Sequence, residues 1–296
     1  MKKVLAIILS LLLITSLMLA GCDSKYSKGS SVIKWGTEIV LNTDLPEFCD
    51  KLSYYTTVQP EVTAEWVQGI GDKLGILDEV GFTESGNRFV MSEGDEWLEV
   101  NGNNGAVTVG GIHIPHETDS SLSSSGNAGV IATEFVNYLG LWDDNITFKE
   151  VVLRYEDIPV KQEWGVHFNQ DVGGYPLVGG GKLFHVIVNP YGTILSAGFY
   201  NPELEYAGRV DCINAQEAYS LFLDGESLGF NFSPSFNRVE VNDVYIGYYI
   251  ESQRELQEYL MPVYVFVGEL FTTTGDMEIF RAYILAAKQI MKGEIL

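Results

Sequence analysis

Residues 164–197 read WGVHFNQDVGGYPLVGGGKLFHVIVNPYGTILSA, and this stretch decides the fold class that the sequence predicts. Apolar residues alternate with small or polar ones over 164–170, which is the period of a half-buried β-strand. Residues 183–188 are apolar on both faces and predict a second strand. Residues 189–192 (NPYG) have turn chemistry and lead into a return strand over 193–199. The stretch therefore predicts antiparallel strands joined by short turns.

Three helices are predicted, each ahead of a set of strands. Thr63 is a suitable N-cap, and an apolar stripe at helical spacing follows it as far as Gly75. A second stripe of apolar residues covers 128–139, and residues 151–155 after it predict a strand. Asn214 opens the third helix, with Glu217 at the third helical position as in a capping box.

The order of helix and then strands predicts an α+β protein made of tandem units. In each unit one helix packs on an antiparallel β-meander, which buries the apolar faces of both layers. The first unit is predicted over 36–117 and the second over 128–210. The third, 211–296, is either separate from the second or fused with it.

The Ser-rich stretch 118–127 (TDSSLSSSGN) separates the first two units and reads as a linker. The sequence LGILD at 74–78 returns as LGLWD at 139–143, which favours an internal repeat. A chance similarity between two helix ends with glycine stops is the alternative.

The N-terminus, 1–21, has the pattern of an export signal. Lys2 and Lys3 precede a run of mainly apolar residues, 4–20. This run is slightly short for a lasting membrane span, which needs about 20 apolar residues. An uncleaved anchor helix is the alternative, and both interpretations place the remainder outside the cytoplasm.

The signal ends in Leu19, Ala20, Gly21 and Cys22, which resembles the lipobox of bacterial lipoproteins. The resemblance implies cleavage before Cys22 and a diacylglycerol on its sulfur. More than one acyl chain is needed to hold a protein stably on a membrane. Residues 22–35 are polar and mildly basic, and are predicted to be a lipidated tether.

The chain is strongly acidic, with 18 basic and 40 acidic residues and a net charge of −22. Loss of Lys2 and Lys3 with the signal would make this imbalance larger. Such a charge argues against nucleic acid as a partner and permits cationic ones. Cys49 and Cys212 remain after the lipobox, and their separation in sequence leaves open whether they form a disulfide.

The stretch from 164 to 197 resembles the PepSY-like superfamily. The signature residues are Phe168, Gln170, Gly174, Pro176, Gly180, Asn189 and Gly192. Residues 260–266 (LMPVYVF) are similar to a late strand of YycI-type domains. The signature consists mainly of turn residues and an alternating strand, so the resemblance implies a fold of the PepSY or cystatin-like kind more than an activity.

Two branches of this superfamily are most similar. One comprises the extracytoplasmic regulators YycI and YycH, which act on a membrane sensor kinase, and the other the FTP-type prodomains of thermolysin-like proteases. YycI-type regulators have an N-terminal membrane helix, whereas this chain has a lipobox ending at Cys22. Signalling through such a helix is therefore not expected here.

No catalytic residue, metal site or cofactor is predicted. The GGGK sequence at 179–182 lacks the Ser or Thr that a phosphate loop requires where Leu183 stands, and strand-turn glycines explain it better. His167 and His185 fall on predicted strands and are expected on a sheet face, not as a catalytic pair.

One histidine-rich loop leaves two interpretations open. His113, His116 and Glu117 are close in sequence, but Pro115 excludes the helix on which zinc proteases hold their two histidines. Either the loop forms a weak surface metal site or its histidines bind nothing.

The expected function is that of a non-enzymatic regulatory or protein-binding module. It would be held on the outer face of a bacterial membrane by the diacylglycerol on Cys22. The expected protein partner is a sensor kinase or a protease. The alternatives are a protease inhibitor or folding helper acting in trans like a prodomain, and an extracytoplasmic enzyme or ligand-binding protein.

Overall fold

The computed structural model describes residues 38–47, 49–83, 87–113, 125–141, 143–154, 162–181, 184–228, 236–251 and 257–288. The chain divides into two compact units. Unit 1 takes its described residues from within 38–52, 209–245 and 263–288, and unit 2 from within 53–208 and 246–262. The predicted signal peptide, lipobox and tether lie outside the described residues, as do residues 118–124 of the predicted linker.

Fifteen strands and three helices are present in the described part of the chain. In chain order they are β1 (Glu38–Leu41), β2 (Lys51–Val58), α1 (Ala64–Leu74), β3 (Gly81–Thr83), β4 (Arg88–Glu93), β5 (Glu96–Asn101), β6 (Val107–Ile112), α2 (Ser125–Leu139), β7 (Ile146–Arg154), β8 (Glu163–Val172), β9 (Tyr175–Val178), β10 (Phe184–Val188), β11 (Ile194–Phe199), β12 (Glu203–Asp211), α3 (Ala215–Leu223), β13 (Phe236–Tyr249), β14 (Tyr259–Thr272) and β15 (Met277–Leu285). Among the described residues, none of the helices combines the length and the apolar character needed to cross a bilayer.

Unit 2 contains an antiparallel sheet in the order β7-β8-β10-β11-β6-β5-β4-β3. Helix α1 packs on β4, and α2 packs on β7, β8 and β10. The strand register aligns one row of apolar side chains across seven of these strands: Met91, Leu98, Val109, Ala197, Val186, Val166 and Val151. This row belongs to one hydrophobic cluster that includes side chains from both helices.

The predicted fold class of tandem helix-on-meander units is wrong, because the strands belong to one large mixed sheet. The two stretches predicted as separate meanders are joined where β6 pairs with β11, from Ile194 opposite Ile112 to Phe199 opposite Val107. Separate meanders would have left these two strand edges with unpaired backbone groups and would have divided the apolar row. Parallel pairing of β13 with β1 and with β9 makes the sheet mixed.

A smaller cluster in unit 2 lies around the turns that follow β8 and β9. Its buried members include Tyr248, Leu177 and Leu260, and Tyr55 packs against them. Strand β9 pairs with the end of β13 at Leu177 and Val178, and Tyr248 donates a hydrogen bond to the carbonyl of Ser53 at 2.8 Å.

Unit 1 is built on the antiparallel pair of β14 and β15, with α3 packed on β15. The rings of Phe222, Phe266 and Phe280 stack in a column with centroid distances of 4.8 and 6.0 Å. The predicted capping box of the third helix is confirmed: Asn214 Oδ1 accepts from the Glu217 amide and Glu217 Oε2 from the Asn214 amide, both at 2.8 Å.

Candidate functional site

The seven residues of the PepSY-like signature all lie in unit 2. They occupy two strands and the turns beside them: Phe168 and Gln170 on β8, Gly174 in the β8–β9 turn, Pro176 on β9, Gly180 just after β9, and Asn189 and Gly192 in the β10–β11 turn. Asn189 Oδ1 accepts hydrogen bonds from the amides of Tyr191 and Thr193, both at 2.9 Å, and so holds its turn. In these positions the residues shape the sheet.

Gln170 is the signature residue with an unusual polar environment. It is 1% exposed, and its Nε2 donates to the Tyr200 carbonyl at 2.9 Å and to Asn201 Oδ1 at 3.2 Å. Its Oε1 and the Oδ1 of Asn145 are buried without a hydrogen-bond partner among the described residues. Buried acceptors of this kind normally pair with an ordered water. Through the two hydrogen bonds of its Nε2, Gln170 links β8 to the segment after β11.

The outer face of the unit 2 sheet, opposite α1 and α2, carries a second row of aligned residues. Across seven strands it comprises Val90, Glu99, Thr108, Gly198, His185, His167 and Glu150. His167 and His185 are directly opposite each other, with ring centroids 6.3 Å apart. The prediction that both lie on a sheet face is confirmed.

The charge state of His185 is set by its surroundings. Burial, and then the charges of His167 and Arg154, lower the pKa of His185 below its ordinary value of 6.5. His185 is therefore neutral at pH 7, where a neutral imidazole both donates and accepts hydrogen bonds.

Strand β7 lies at the edge of this sheet, beside the histidine pair. Within the described part of the chain it pairs only with β8. Three of its apolar side chains are exposed: Phe148 by 49%, Val152 by 43% and Leu153 by 37%. We call the surface formed by these three side chains, together with Arg154 and His167, the β7 edge surface.

The two halves of β7 differ in regularity. A register shift occurs between Phe148 and Glu150, where the Lys149 Nζ and a Glu150 carboxylate oxygen are 2.9 Å apart. Bulges and charges of this kind discourage another strand from pairing with an edge. The second half, from Val151 to Arg154, keeps a regular register with β8. This half is the part of the edge that an extended segment fits best.

Several residues discussed from the sequence are not part of this surface. His113 directly follows β6, and its Nδ1 is 3.3 Å from Thr193 Oγ1, whereas His116 and Glu117 lie outside the described residues. In the described ranges, no group of three or more His, Cys, Asp or Glu residues could hold a metal ion. Cys22, with Leu19, Ala20 and Gly21, also lies outside the described residues.

Sequence reasoning located the strand but missed its position in the sheet. It predicted a strand over 151–155, where the structure has β7 from Ile146 to Arg154. The signal that could have identified an edge is the composition FKEVVLR at 148–154, in which charged residues interrupt an apolar strand.

Comparisons with known proteins give structural similarity without a family. No protein-family model matches the chain, and no curated protein matches it. A crystal structure of an uncharacterized protein from Eubacterium rectale is similar at a TM-score of 0.47 with 10% sequence identity, over 84% of this chain and 86% of that chain.

Proposed function

We propose that this protein is a lipid-anchored module on the outer face of a bacterial membrane that binds another protein through the β7 edge surface and has no enzymatic activity of its own. The lipobox-like sequence ending at Cys22 supports the anchor. The expected partner is a membrane sensor kinase, as for the YycI-type regulators that residues 164–197 resemble.

The exposed second half of β7 is the observation that carries the proposal. An edge strand presents unpaired backbone N–H and C=O groups, and an extended peptide binds by adding a strand to them. Val152 on one face and Leu153 on the other would contact alternate side chains of the added segment, which is how such sites obtain specificity. Arg154, which lies 3.5 Å from a carboxylate oxygen of Glu163, and His167 are the polar residues beside this half of the strand on the outer face.

Site-specific photocrosslinking in the protein's own cells tests this surface. A photoreactive amino acid replaces Val152 in one strain and Tyr191, which is 79% exposed in the β10–β11 turn, in a matched control strain. We expect a discrete crosslinked adduct from position 152 and none from position 191. Mass spectrometry of the adduct would then distinguish a sensor kinase from a secreted protease.

A second variant checks that the adduct depends on the strand edge. In Leu153→Asp, a charge is added to a side chain that is already 37% exposed, so the fold should persist while strand addition is disfavoured. The adduct should then disappear, with an unchanged circular dichroism spectrum. Equal adducts from positions 152 and 191, or an adduct that survives Leu153→Asp, would contradict the proposal.

A further inference from the structure

Cys49 and Cys212 are distant in sequence, but the backbone of unit 1 brings their positions together. The Cys212 amide donates to the carbonyl of Asp50, the residue after Cys49, at 2.9 Å. One step further along both strands, Lys51 Nζ and Asp211 Oδ1 are 3.0 Å apart. The start of β2 therefore runs beside the end of β12, with Asp50, the neighbour of Cys49 in the chain, hydrogen-bonded to Cys212.

The two cysteines differ in their exposure to solvent. Both residues are thiols in this structure; Cys212 is fully buried and Cys49 is half-buried. The Cys212 thiol donates to the Val210 carbonyl at 3.6 Å. An external reagent therefore reaches Cys49 first, because Cys212 is buried.

Electrostatic effects agree with a short distance between the sulfurs. Burial raises the pKa of Cys212, a hydrogen bond from the Leu52 backbone lowers it, and the charge of Cys49 raises it further. Burial raises the pKa of Tyr264 to about 12, with added contributions from Cys212 and then Cys49. The Tyr264 hydroxyl donates to the Ile213 carbonyl at 3.0 Å, so it lies next to the end of β12.

A disulfide between Cys49 and Cys212 would enclose most of unit 2. The main segment of unit 2, 53–208, lies entirely between Cys49 and Cys212. Strands β2 and β12, which the two cysteines flank, are the strands on which the chain enters and leaves that segment. A bond between them would close the whole segment into a covalent loop, and a long closed loop restricts the unfolded chain strongly.

We propose that Cys49 and Cys212 form a disulfide by exchange with a disulfide oxidant. The Cys49 thiolate attacks one sulfur of the oxidant, forms a mixed disulfide and releases a thiolate that takes up a proton. Cys212 loses its proton, attacks the Cys49 sulfur and releases the second half of the oxidant as a thiol. The two cysteines lose two electrons in total, and the oxidant is reduced to two thiols.

In the cell this reaction rests on the proposed export of the chain, because disulfides persist outside the cytoplasm. The bond-forming chemistry itself does not depend on location. It is therefore tested on purified protein, so that its failure is distinguishable from a failure of the proposed lipid anchor.

The test uses the full chain carrying Cys22→Ala, in which Cys49 and Cys212 are the remaining thiols of the three cysteines. The reduced, folded protein is equilibrated with oxidised glutathione, and thiols are then counted in denaturant. We expect both thiols to be lost together, with a mass decrease of two hydrogen atoms and a crosslinked peptide pair that contains both cysteines. Urea unfolding should shift to a higher midpoint in the oxidised form.

Two single variants in the same background test the order of attack. Cys212→Ser should accumulate a glutathione adduct on Cys49, because no second thiol displaces it. Cys49→Ser should keep a titratable Cys212 thiol under the same conditions, because that sulfur is buried. Retention of both thiols in the folded two-cysteine protein, or loss of thiols only through intermolecular bonds, would overturn the proposal.

Discussion

The glycines at 179–181 show how single residues allow two backbone segments of unit 2 to approach closely. A Cβ added to Gly181 would come 1.7 Å from the backbone oxygen of Glu251, and one added to Gly179 would come 2.4 Å from that of Ile250. At Gly180, a member of the PepSY-like signature, a Cβ would meet nothing within 4 Å. The run is therefore a place of close backbone approach, in agreement with strand-turn glycines and not with a phosphate loop.

This difference within one run of glycines gives a prediction with its own control. Gly181→Ala should lower the free energy of unfolding by about 2 kcal/mol or more, because rigid backbone must move. Gly180→Ala should change it by less than about 0.5 kcal/mol. Urea denaturation of both variants measures the effect, and equal effects would show that the backbone approach at Gly181 is wrong.

The lowered pKa of His185 predicts a dependence of stability on pH. The folded pKa of His185 is lowered, so between that value and 6.5 the unfolded chain binds more protons than the folded one. The stability contribution is fully present above pH 6.5 and is lost as the pH falls through the folded pKa. Each unit of pKa difference corresponds to about 1.4 kcal/mol.

Nuclear magnetic resonance titration of His185 checks the cause of this shift. In His167→Gln one of the charges that lower the pKa of His185 is removed, so the measured pKa should move upward toward 6.5. The free energy of unfolding of the variant should then decrease less on acidification than that of the wild type. An unchanged His185 pKa would mean that His167 does not act on it.

At the scale of helices, the caps were predictable because their determinants are local. Thr63 caps α1 as expected, with its side chain accepting from the Trp66 amide at 3.2 Å. The repeated LG sequence marks the same kind of helix end twice. Gly75 and Gly140 both have left-handed φ, and the following amides, of Ile76 and Leu141, each bond back into the last helical turn. Four or five adjacent residues carry all of this information.

At the scale of strands, local pairing was predictable from the sequence and long-range pairing was not. The alternation over 164–170 identified β8, and the NPYG turn identified the β10–β11 hairpin. Nothing local to Val107–Ile112 shows that β6 pairs with β11, because the pairing depends on residues more than 80 positions away. The first part of β13 likewise depends on a distant partner, since Arg238–Val241 pair in parallel with Glu38–Leu41.

Because β6 pairs with β11, a destabilising substitution in the strands before α2 should also destabilise the strands after it. Leu98 on β5 is fully buried in the cluster that also contains Phe135 of α2. Leu98→Ala should lower the free energy of unfolding by about 2–5 kcal/mol through the cavity it leaves. Because the core is shared, hydrogen exchange should become faster in α2 as well as in α1. Faster exchange confined to α1 would indicate that the two helices pack on separate cores instead.

At the scale of the whole molecule, the charge and the N-terminal sequence bear on where the protein works. A net charge of −22 favours solubility and disfavours adhesion to anionic lipid surfaces, so attachment would depend on the lipid itself. The proposed binding at β7 and the proposed disulfide between Cys49 and Cys212 would both depend, in the cell, on export and lipidation at Cys22. The anchor is therefore the central claim of the proposed function.

Metabolic labelling with a palmitate analogue in the protein's own cells tests this claim most directly. The wild-type chain should carry the label and sediment with membranes, and Cys22→Ala should lose the label and retain the longer, uncleaved N-terminus. Cys49→Ala, which changes a thiol outside the lipobox, should be labelled like the wild type. Undiminished labelling of Cys22→Ala, or a wild-type chain without label, would contradict the lipid anchor.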